Sequence, residues 1–384
     1  MTKQELFQIK LNAPDEKVKE SAKKRWDSLA KPIDGFGDLE TVISRIAAIE
    51  GHVPSIKKRA AVIFCADNGI VEEGISQSPS DVTRTVARCL GNGSSTAAVL
   101  AKNAAVDVIP VDIGILGQEE IPGVLSEKVR EGTSNFLREP AMGEDEVLRA
   151  IEAGCRLVGK LKEDGYEMLL MGEMGIGNTT TSAALVSALL DIDPLLVTGR
   201  GAGLCDEGLK KKQSVVAEGV KKYKAIYEEM KEAKNETTDE AKNGVENGAE
   251  NTSETDDSSE YAFFMLQCLG GLDIAGLVGL CIGGAKYQVP IVIDGVITAA
   301  AALVAERMLP GVKEYLLASH KGRENGTMYV LNALGLTPIL DGNMALGEGT
   351  GAILLMPVLD TILAYYLQGA DFDAYGLEAY ERMT

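Results

Sequence analysis

The chain has 384 residues, of which 45% are hydrophobic and 5% aromatic, and its net charge is −19. This length is enough for one large domain or two ordinary ones with a sizeable buried core. The acidic charge argues against nucleic acid as a partner, because phosphate backbones need a basic face, and two histidines exclude a His-rich metal site.

The predicted elements alternate between strands and helices. Helices are predicted at 15–31 and 38–50, with Asp38 capping the second. Apolar, β-rich runs follow at 60–69, 106–114, 167–175, 289–296 and 312–322. Helical stretches separate them at 80–103, 143–163, 178–190, 206–231, 272–287, 296–309 and 322–334. The alternation predicts an α/β fold with a doubly wound, mostly parallel, Rossmann-like sheet.

Each predicted strand ends at a polar residue close to a glycine. These residues are Asp67, Asp112, Glu173, Asp294 and Ser319. Ligands bind at the carboxyl ends of strands in open parallel sheets, so the five together predict a site at that edge. Taken singly, each acid has an alternative role, which is to cap the next helix.

Two segments stand apart from this pattern. The apolar stretch 261–285 is long enough to span a membrane, but Gln267, Asp273 and the Gly270-Gly271 pair favour two buried helices. Residues 233–260 are almost without apolar side chains and strongly acidic, which predicts a disordered surface loop.

The polar N-terminus argues against a signal peptide. Six scattered cysteines without a C-x-x-C pair indicate reduced, mostly buried thiols. Together they predict a cytoplasmic protein.

The stretch "GEMGIGNTTTS" joins the third predicted strand to a helix. Gly175 and Gly177 allow close backbone approach to a ligand, and Asn178 and Thr179 would stand at the N-cap and first turn. This predicts a phosphate or carboxylate cradle; the alternative is an ordinary tight turn with a capped helix.

Three further stretches contain candidate binding or catalytic residues. "TGRGAGL" (198–204) precedes three lysines, 210–212, which would either reach an anion or be solvated. In "LGEGTGA", Glu348 lies among small residues, where burial would raise its pKa and make it a proton acceptor; alternatively it is favoured by the helix dipole. The polar loop at 65–83 would be a substrate-facing lid or a solvent-facing connector.

Six stretches in collinear order from about residue 35 to 370 carry a family resemblance. They are "CADNGI…GIS…SPSDVT", "GEMGIGNTTT", "TGRGAGL", "IVIDGVITAAAAL", "SHKG" and "LGEGTGA". The chain resembles the nicotinate-nucleotide–dimethylbenzimidazole phosphoribosyltransferase family. The resemblance implies transfer of the 5-phosphoribosyl group of nicotinate mononucleotide to 5,6-dimethylbenzimidazole, without metal or redox cofactor, by a cytoplasmic homodimer.

The resemblance also implies roles for single residues. Glu348 would be the base that takes the benzimidazole proton, and Glu173 a second acid that orients the ribose or stabilises oxocarbenium charge. The phosphate and ribose would contact Gly175, Gly177, Asn178, Thr179, Lys212, Asp294 and Gly322, with the register among the three lysines left open. The acceptor base would contact Ser78, Met344 and Leu346.

Two positions depart from the family pattern. Val86 stands where some relatives carry a glutamine that contacts the base, and Gly322 where some carry a serine near the phosphate. These departures bear on the acceptor, so transfer to a phenol or another azole is an alternative. A catalytically silent nucleotide-binding module is a second one, and the absence of G-x-G-x-x-G argues against an NAD-dependent dehydrogenase.

The predicted organisation has two domains. Residues 1–50 and 350–384 would form a small helical domain from both chain ends. Residues 51–349 would form the α/β catalytic domain, interrupted by the acidic insert.

Overall fold

Six parallel strands form the main sheet of the computed structural model, which describes residues 1–242 and 257–382. The strands are β1 Arg59–Ala66, β2 Asp107–Gly114, β3 Leu125–Ser126, β4 Met168–Met174, β5 Ile291–Ile293 and β6 Leu316–Ala318. Their order is β3-β2-β1-β4-β5-β6, so the order reverses between β1 and β4. The predicted parallel α/β sheet is therefore confirmed, and its switch point lies where ligands bind in such sheets.

Helices connect and cover these strands. They are α1 Lys3–Phe7, α2 Glu16–Ser28, α3 Asp38–Glu50, α4 Asp81–Gly91, α5 Thr96–Asn103, α6 Glu144–Glu163, α7 Asn178–Leu190, α8 Pro194–Val197, α9 Asp206–Lys242, α10 Asp257–Leu269, α11 Leu272–Tyr287, α12 Val296–Met308, α13 Gly326–Leu334 and α14 Thr350–Gln368. A second, two-stranded parallel sheet pairs β7 His320–Gly322 with β8 Leu340–Met344.

Two apolar clusters lie on opposite faces of the main sheet. Along β1, Val62 and Phe64 belong to one cluster and Ile63 and Cys65 to the other, as the two-residue period of a strand requires. Helices α6, α7 and α10–α12 cover the first face, and α2–α5 and α14 cover the second. Burial on both faces explains why these strands read as continuous apolar runs.

The helices at the two chain ends pack together on the second face. Trp26 of α2, Ile46 of α3 and Met356 of α14 share a cluster with sheet residues such as Ile63. The division into two domains stays a prediction.

Among the described residues, α14 is the helix long and apolar enough to cross a membrane by length and composition. However, 56% of its most apolar 18-residue window is buried inside the protein, as in a core helix. The stretch at 261–285 forms α10 and α11, separated at Gly270-Gly271 as predicted.

The structure corrects three predicted elements. The single helix at 80–103 is broken between α4 and α5, because Ser95 caps α5 by accepting a hydrogen bond from the Ala98 amide. Gly37, rather than Asp38, is the N-cap of α3. The run at 312–322 begins as a 3₁₀ turn and then divides between β6 and β7 in different sheets.

The predicted disordered insert was too long at both ends. Helix α9 continues through 233–242, a stretch rich in the helix-favouring residues Glu, Lys and Ala. Helix α10 begins at Asp257, where acidic residues in the first turn complement the helix dipole. The remainder of the predicted insert, 243–256, lies outside the described residues.

Candidate active site

A cavity of about 310 Å³ lies at the carboxyl ends of β4 and β5 and beside the second sheet. Its wall comes from seven segments of the chain, including the loop that follows β1. All twelve predicted site residues line it: Ser78, Glu173, Gly175, Gly177, Asn178, Thr179, Lys212, Asp294, Gly322, Met344, Leu346 and Glu348. The fold therefore brings the predicted set together.

Two of the predicted strand-end acids have a different position. Asp67 accepts a hydrogen bond from the Leu116 amide at 2.8 Å, and Asp112 accepts one from Ile115 at 2.9 Å and pairs with Lys128. Neither lines the cavity. For these two, neither the site nor the helix-capping alternative describes the structure, because both carboxylates accept from backbone amides of the loop after β2 and hold that loop.

Glu173 is the buried acid at the end of β4. The amide nitrogen of Asn178 donates to its carboxyl group and also, at 3.0 Å, to Oδ2 of Asp273. Burial raises the pKa of Glu173 to about 8, and the charges of Asp273, Asp294 and Glu348 act in the same direction, against the hydrogen bond from Asn178. Near neutral pH its surroundings therefore favour a protonated Glu173.

The turn that carries Glu348 lies directly on β4. Gly347, Glu348 and Gly349 all have positive φ angles, of 92°, 58° and 76°. A Cβ on Gly347 would lie 2.8 Å from Oε1 of Glu173, and one on Gly172 would lie 3.1 Å from the Glu348 carbonyl. The glycines of "LGEG" thus allow the turn to adopt a left-handed path in contact with the strand end.

Glu348 is half-buried in the wall of the cavity. Its Oε2 accepts a hydrogen bond from the Ala97 amide at 3.2 Å, at the start of α5. The carboxylate is therefore held by a helix N-terminus other than that of α14, the helix that follows it in sequence. A non-glycine residue with φ of 58° costs about 1 kcal/mol or more, and such strain is typical of functional positions.

Asp294 joins the end of β5 to the start of α14. Its Oδ1 accepts hydrogen bonds from the amides of Gly351 at 2.7 Å and Ala352 at 3.1 Å. Burial raises its pKa to about 7, and these backbone hydrogen bonds oppose the increase. Buried His320 lies 3.9 Å away, and burial lowers the pKa of its imidazole. Asp294 thus fixes the turn that carries Glu348.

Lys212 settles which of the three consecutive lysines enters the cavity. Its side chain is 1% exposed, whereas Lys210 and Lys211 are exposed. Its Nζ donates to Oγ1 of Thr179 at 2.7 Å. Burial lowers its pKa from 10.5 to about 8, opposed by the charge of Glu324. A buried ammonium and a hydroxyl are thus available at one end of the cavity.

The glycine loop before these lysines contacts an anionic group of the protein itself. The amide of Gly201 donates to Oε1 of Glu324 at 3.2 Å. A Cβ on Gly199 would overlap the same carboxylate. Arg200 and Glu324 also line the cavity, so both charges face this end.

The turn at Gly175–Asn178 is only partly the cradle that its sequence predicts. Gly177, with φ of 96°, is the N-cap of α7, and Asn178 is the first helical residue. A Cβ on Gly175 would lie 2.6 Å from the Ala66 carbonyl, so packing explains this glycine. The Asn178 amide is committed to two carboxyl groups, and of the three threonines only Thr179 lines the cavity.

The mouth of the cavity is largely apolar. Leu346 is 55% exposed there, Met344 is half-buried, and Val86 contributes where a polar side chain would offer a hydrogen bond. Across the mouth, the Gln77 amide donates to the Gly203 carbonyl. This wall suits a flat, apolar ring beside the acids.

Sequence reasoning missed several residues of this site. Arg200, His320, Glu324 and Thr327 line the cavity, and Asp273 lies behind it. The signal for Asp273 was present: a single acid inside the apolar stretch 261–285. No local signal relates Glu324 to Lys212, because their proximity depends on the tertiary fold.

Comparisons with known proteins agree with this arrangement. A family model described as phosphoribosyltransferase matches residues 11–238 and 230–376. The nicotinate-nucleotide–dimethylbenzimidazole phosphoribosyltransferase of Acetivibrio thermocellus is 40% identical over 359 residues, 93% of each chain. The enzyme of that name from Clostridium acetobutylicum is 36% identical over 97% of each chain. The crystal structure of CobT from Thermus thermophilus superimposes with a TM-score of 0.81 and 35% identity, over 95% of this chain and 100% of that one.

Proposed function

The chain belongs to the nicotinate-nucleotide–dimethylbenzimidazole phosphoribosyltransferase family, and from this premise we propose how its cavity carries out the transfer. The C1′–N bond of nicotinate mononucleotide breaks, and its electron pair neutralises the departing pyridinium nitrogen. A ring nitrogen of 5,6-dimethylbenzimidazole bonds to C1′ with inversion. The products are nicotinate and α-ribazole 5′-phosphate, the lower-ligand nucleotide of cobalamin. The observation that carries the proposal is the convergence of the twelve predicted site residues on one cavity.

Glu348 is the proposed base. The leaving group already carries positive charge, so its departure needs no acid, whereas the attacking benzimidazole must lose its N–H proton. The contact with the Ala97 amide supports this role, because it fixes one carboxylate oxygen and so orients the group. Proton transfer to Glu348 completes the balance of the reaction.

Glu173 and Asp294 are the proposed acids on the ribose side. The cationic pyridinium of a bound substrate would favour ionisation of Glu173, whose pKa is raised by burial to about 8. The resulting carboxylate would stabilise the positive charge that develops at C1′ in the transition state. Asp294, which holds the start of α14, would set the distance between Glu348 and the ribose.

Lys212 and Thr179 are the proposed phosphate ligands. Nζ of Lys212 donates a hydrogen bond to Oγ1 of Thr179. Phosphate oxygens would accept hydrogen bonds from both groups. The backbone around Gly175, Gly177 and Gly322 would complete this end of the cavity. Glu324 accepts a hydrogen bond from the Gly201 amide and would move as the phosphate enters.

Ser78, Met344 and Leu346 are the proposed contacts of the acceptor base at the apolar mouth. Because Val86 offers no hydrogen bond, shape rather than polar recognition would select the acceptor. This favours testing other azoles and phenols as acceptors beside 5,6-dimethylbenzimidazole.

We further propose that the enzyme is a cytoplasmic homodimer. Leu195 and Leu196 of α8 are more than half exposed, directly before the loop that reaches the cavity, and suit an interface there. Analytical ultracentrifugation tests this, and a monomer at micromolar concentration would contradict it.

The experiment that tests the reaction mixes purified protein with nicotinate mononucleotide and a panel of azoles and phenols, and identifies products by mass. We expect α-ribazole 5′-phosphate with 5,6-dimethylbenzimidazole and release of nicotinate in equal amount. A silent nucleotide-binding module would yield no product with any acceptor. A product with phenols alone would overturn the proposed acceptor class.

A further inference from the structure

Asp273 is a buried acid to which the reaction scheme assigns no part. It is 0% exposed, at the start of α11, in a helix whose other described side chains are almost all apolar. It does not line the cavity. Burying a carboxyl group costs free energy unless its partners compensate, so its contacts must explain its presence.

The contacts of Asp273 point toward Glu173. Its Oδ1 accepts from the Ile274 amide at 3.0 Å, within its own helix. Its Oδ2 accepts from the Asn178 side-chain nitrogen at 3.0 Å, and the same nitrogen donates to Glu173. One amide group therefore connects a fully buried acid to an acid in the cavity wall.

This arrangement constrains Asn178 in a way that Glu173 alone does not. An Asn side chain can be reversed about its last torsion, presenting oxygen instead of nitrogen. With acceptors on both sides of the nitrogen, reversal would place the amide oxygen against two carboxyl groups. Asp273 thus selects the orientation in which Asn178 donates to Glu173.

We propose that Asp273 is a positioning residue for the transfer reaction, acting on Glu173 through the Asn178 amide. This proposal rests on the proposed role of Glu173 at the ribose. Asp273 holds the carboxyl group of Glu173 in one orientation toward the cavity, and its own carboxylate places a second acid on the other side of the same amide nitrogen.

The charged groups of the described residues that raise the pKa of Glu173 are acids from three different elements. They are Asp273 at the start of α11, Asp294 after β5 and Glu348 before α14. Asp294 and Glu348 line the cavity, so a substrate cation would compensate them directly. Asp273 lies behind Asn178, and its charge acts on Glu173 whether or not the cavity is filled.

Two substitutions separate orientation from charge. Asp273→Asn removes the charge and keeps one oxygen that accepts from Asn178, while its NH2 group loses the hydrogen bond that Oδ1 accepts from the Ile274 amide. Asp273→Ala removes the charge and both acceptors. Asp112→Asn is the matched control, because Asp112 is also a buried acid but lies near the end of β2, outside the cavity wall, and has Lys128 as its partner. The Asn variant keeps the test valid if the Ala variant fails to fold.

The direct readout is the titration of Glu173 itself. The carbonyl stretch of its protonated carboxyl group is measured by infrared difference spectroscopy, by comparing each protein with the same protein carrying Glu173→Gln. We expect D273N to move the midpoint of this titration to lower pH by about one unit or more, and D112N to leave it in place.

Kinetics give the second readout. We expect D273A to lower kcat by about 10-fold or more with the KM for nicotinate mononucleotide within about 3-fold, because Asp273 does not contact the cavity. D273N should recover most of this loss at its own, more acidic optimum. An unmoved titration midpoint in D273N, or an equal effect of D112N, would overturn the proposal. The titration of Glu173 needs no turnover, so it tests the role of Asp273 even if the wild-type enzyme makes no product. Absence of product from the wild-type enzyme would instead refute the proposed function.

Discussion

Lys212 is held in the cavity wall at a cost to the ligand-free fold, and Lys212→Met measures that cost. Burial lowers the pKa of Lys212 from 10.5 to about 8. At about 1.4 kcal/mol per pKa unit, this corresponds to about 3 kcal/mol at neutral pH. Met retains most of the packing but loses the hydrogen bond to Thr179, worth about 1 kcal/mol. We expect the variant to be about 1–2 kcal/mol more stable in urea unfolding at pH 7.

The pH dependence has a definite sign. Below about pH 8 Lys212 is protonated in both the folded and the unfolded wild type. The difference in free energy of unfolding between wild type and K212M is therefore constant there. Between about pH 8 and 10.5 Lys212 keeps its proton only in the unfolded chain, so the stability of the wild type rises with pH. The stability advantage of K212M over the wild type therefore decreases over this range. Inorganic phosphate should stabilise the wild type and leave the variant unchanged. A variant that is less stable than wild type at pH 7, or equally stabilised by phosphate, would refute this reasoning.

Three other substitutions test separate parts of the structure. Gly347→Ala places a Cβ 2.8 Å from Oε1 of Glu173 and should lower kcat by about 10-fold or more, whereas Gly51→Ala, with similar positive φ but open space, should change only stability. Thr179→Val should raise the KM for nicotinate mononucleotide by about 10-fold with little change in kcat, and a change in kcat alone would contradict its phosphate role. Burial raises the pKa of Glu50 to about 8, far from the cavity, so wild-type stability falls between pH 4.5 and 8. Glu50→Gln should make the free energy of unfolding less dependent on pH in this range without altering turnover. An equal pH dependence of stability in wild type and variant would contradict the raised pKa of Glu50.

The fold was predictable because its signals are local. Continuous apolar runs mark strands buried on both faces, and each run stops near the edge where the cavity lies. The break between α4 and α5 also had a local signal, in two glycines and the capping Ser95. The short β8 strand had none, since its residues are mostly exposed and it pairs only through tertiary placement.

The membership of the site was predictable from the family motifs, but its internal contacts were not. Glu348 is oriented by the Ala97 amide, 251 positions away in the chain. Glu173 owes its raised pKa to burial and to acids from three separate elements. The sequence predicts that Asn178 caps a helix, whereas its side-chain nitrogen donates to the carboxyl groups of both Glu173 and Asp273. Such relations arise only when distant segments are folded together.

Glu348→Gln tests the central claim most directly. The amide oxygen of Gln can still accept from the Ala97 amide, so the turn should keep its conformation, but the side chain cannot take a proton. The measurement is single-turnover formation of α-ribazole 5′-phosphate, together with the dissociation constant of nicotinate mononucleotide. We expect the rate to fall by about 10² or more with nucleotide binding unchanged. A wild-type rate in E348Q would contradict the assignment of Glu348 as the base.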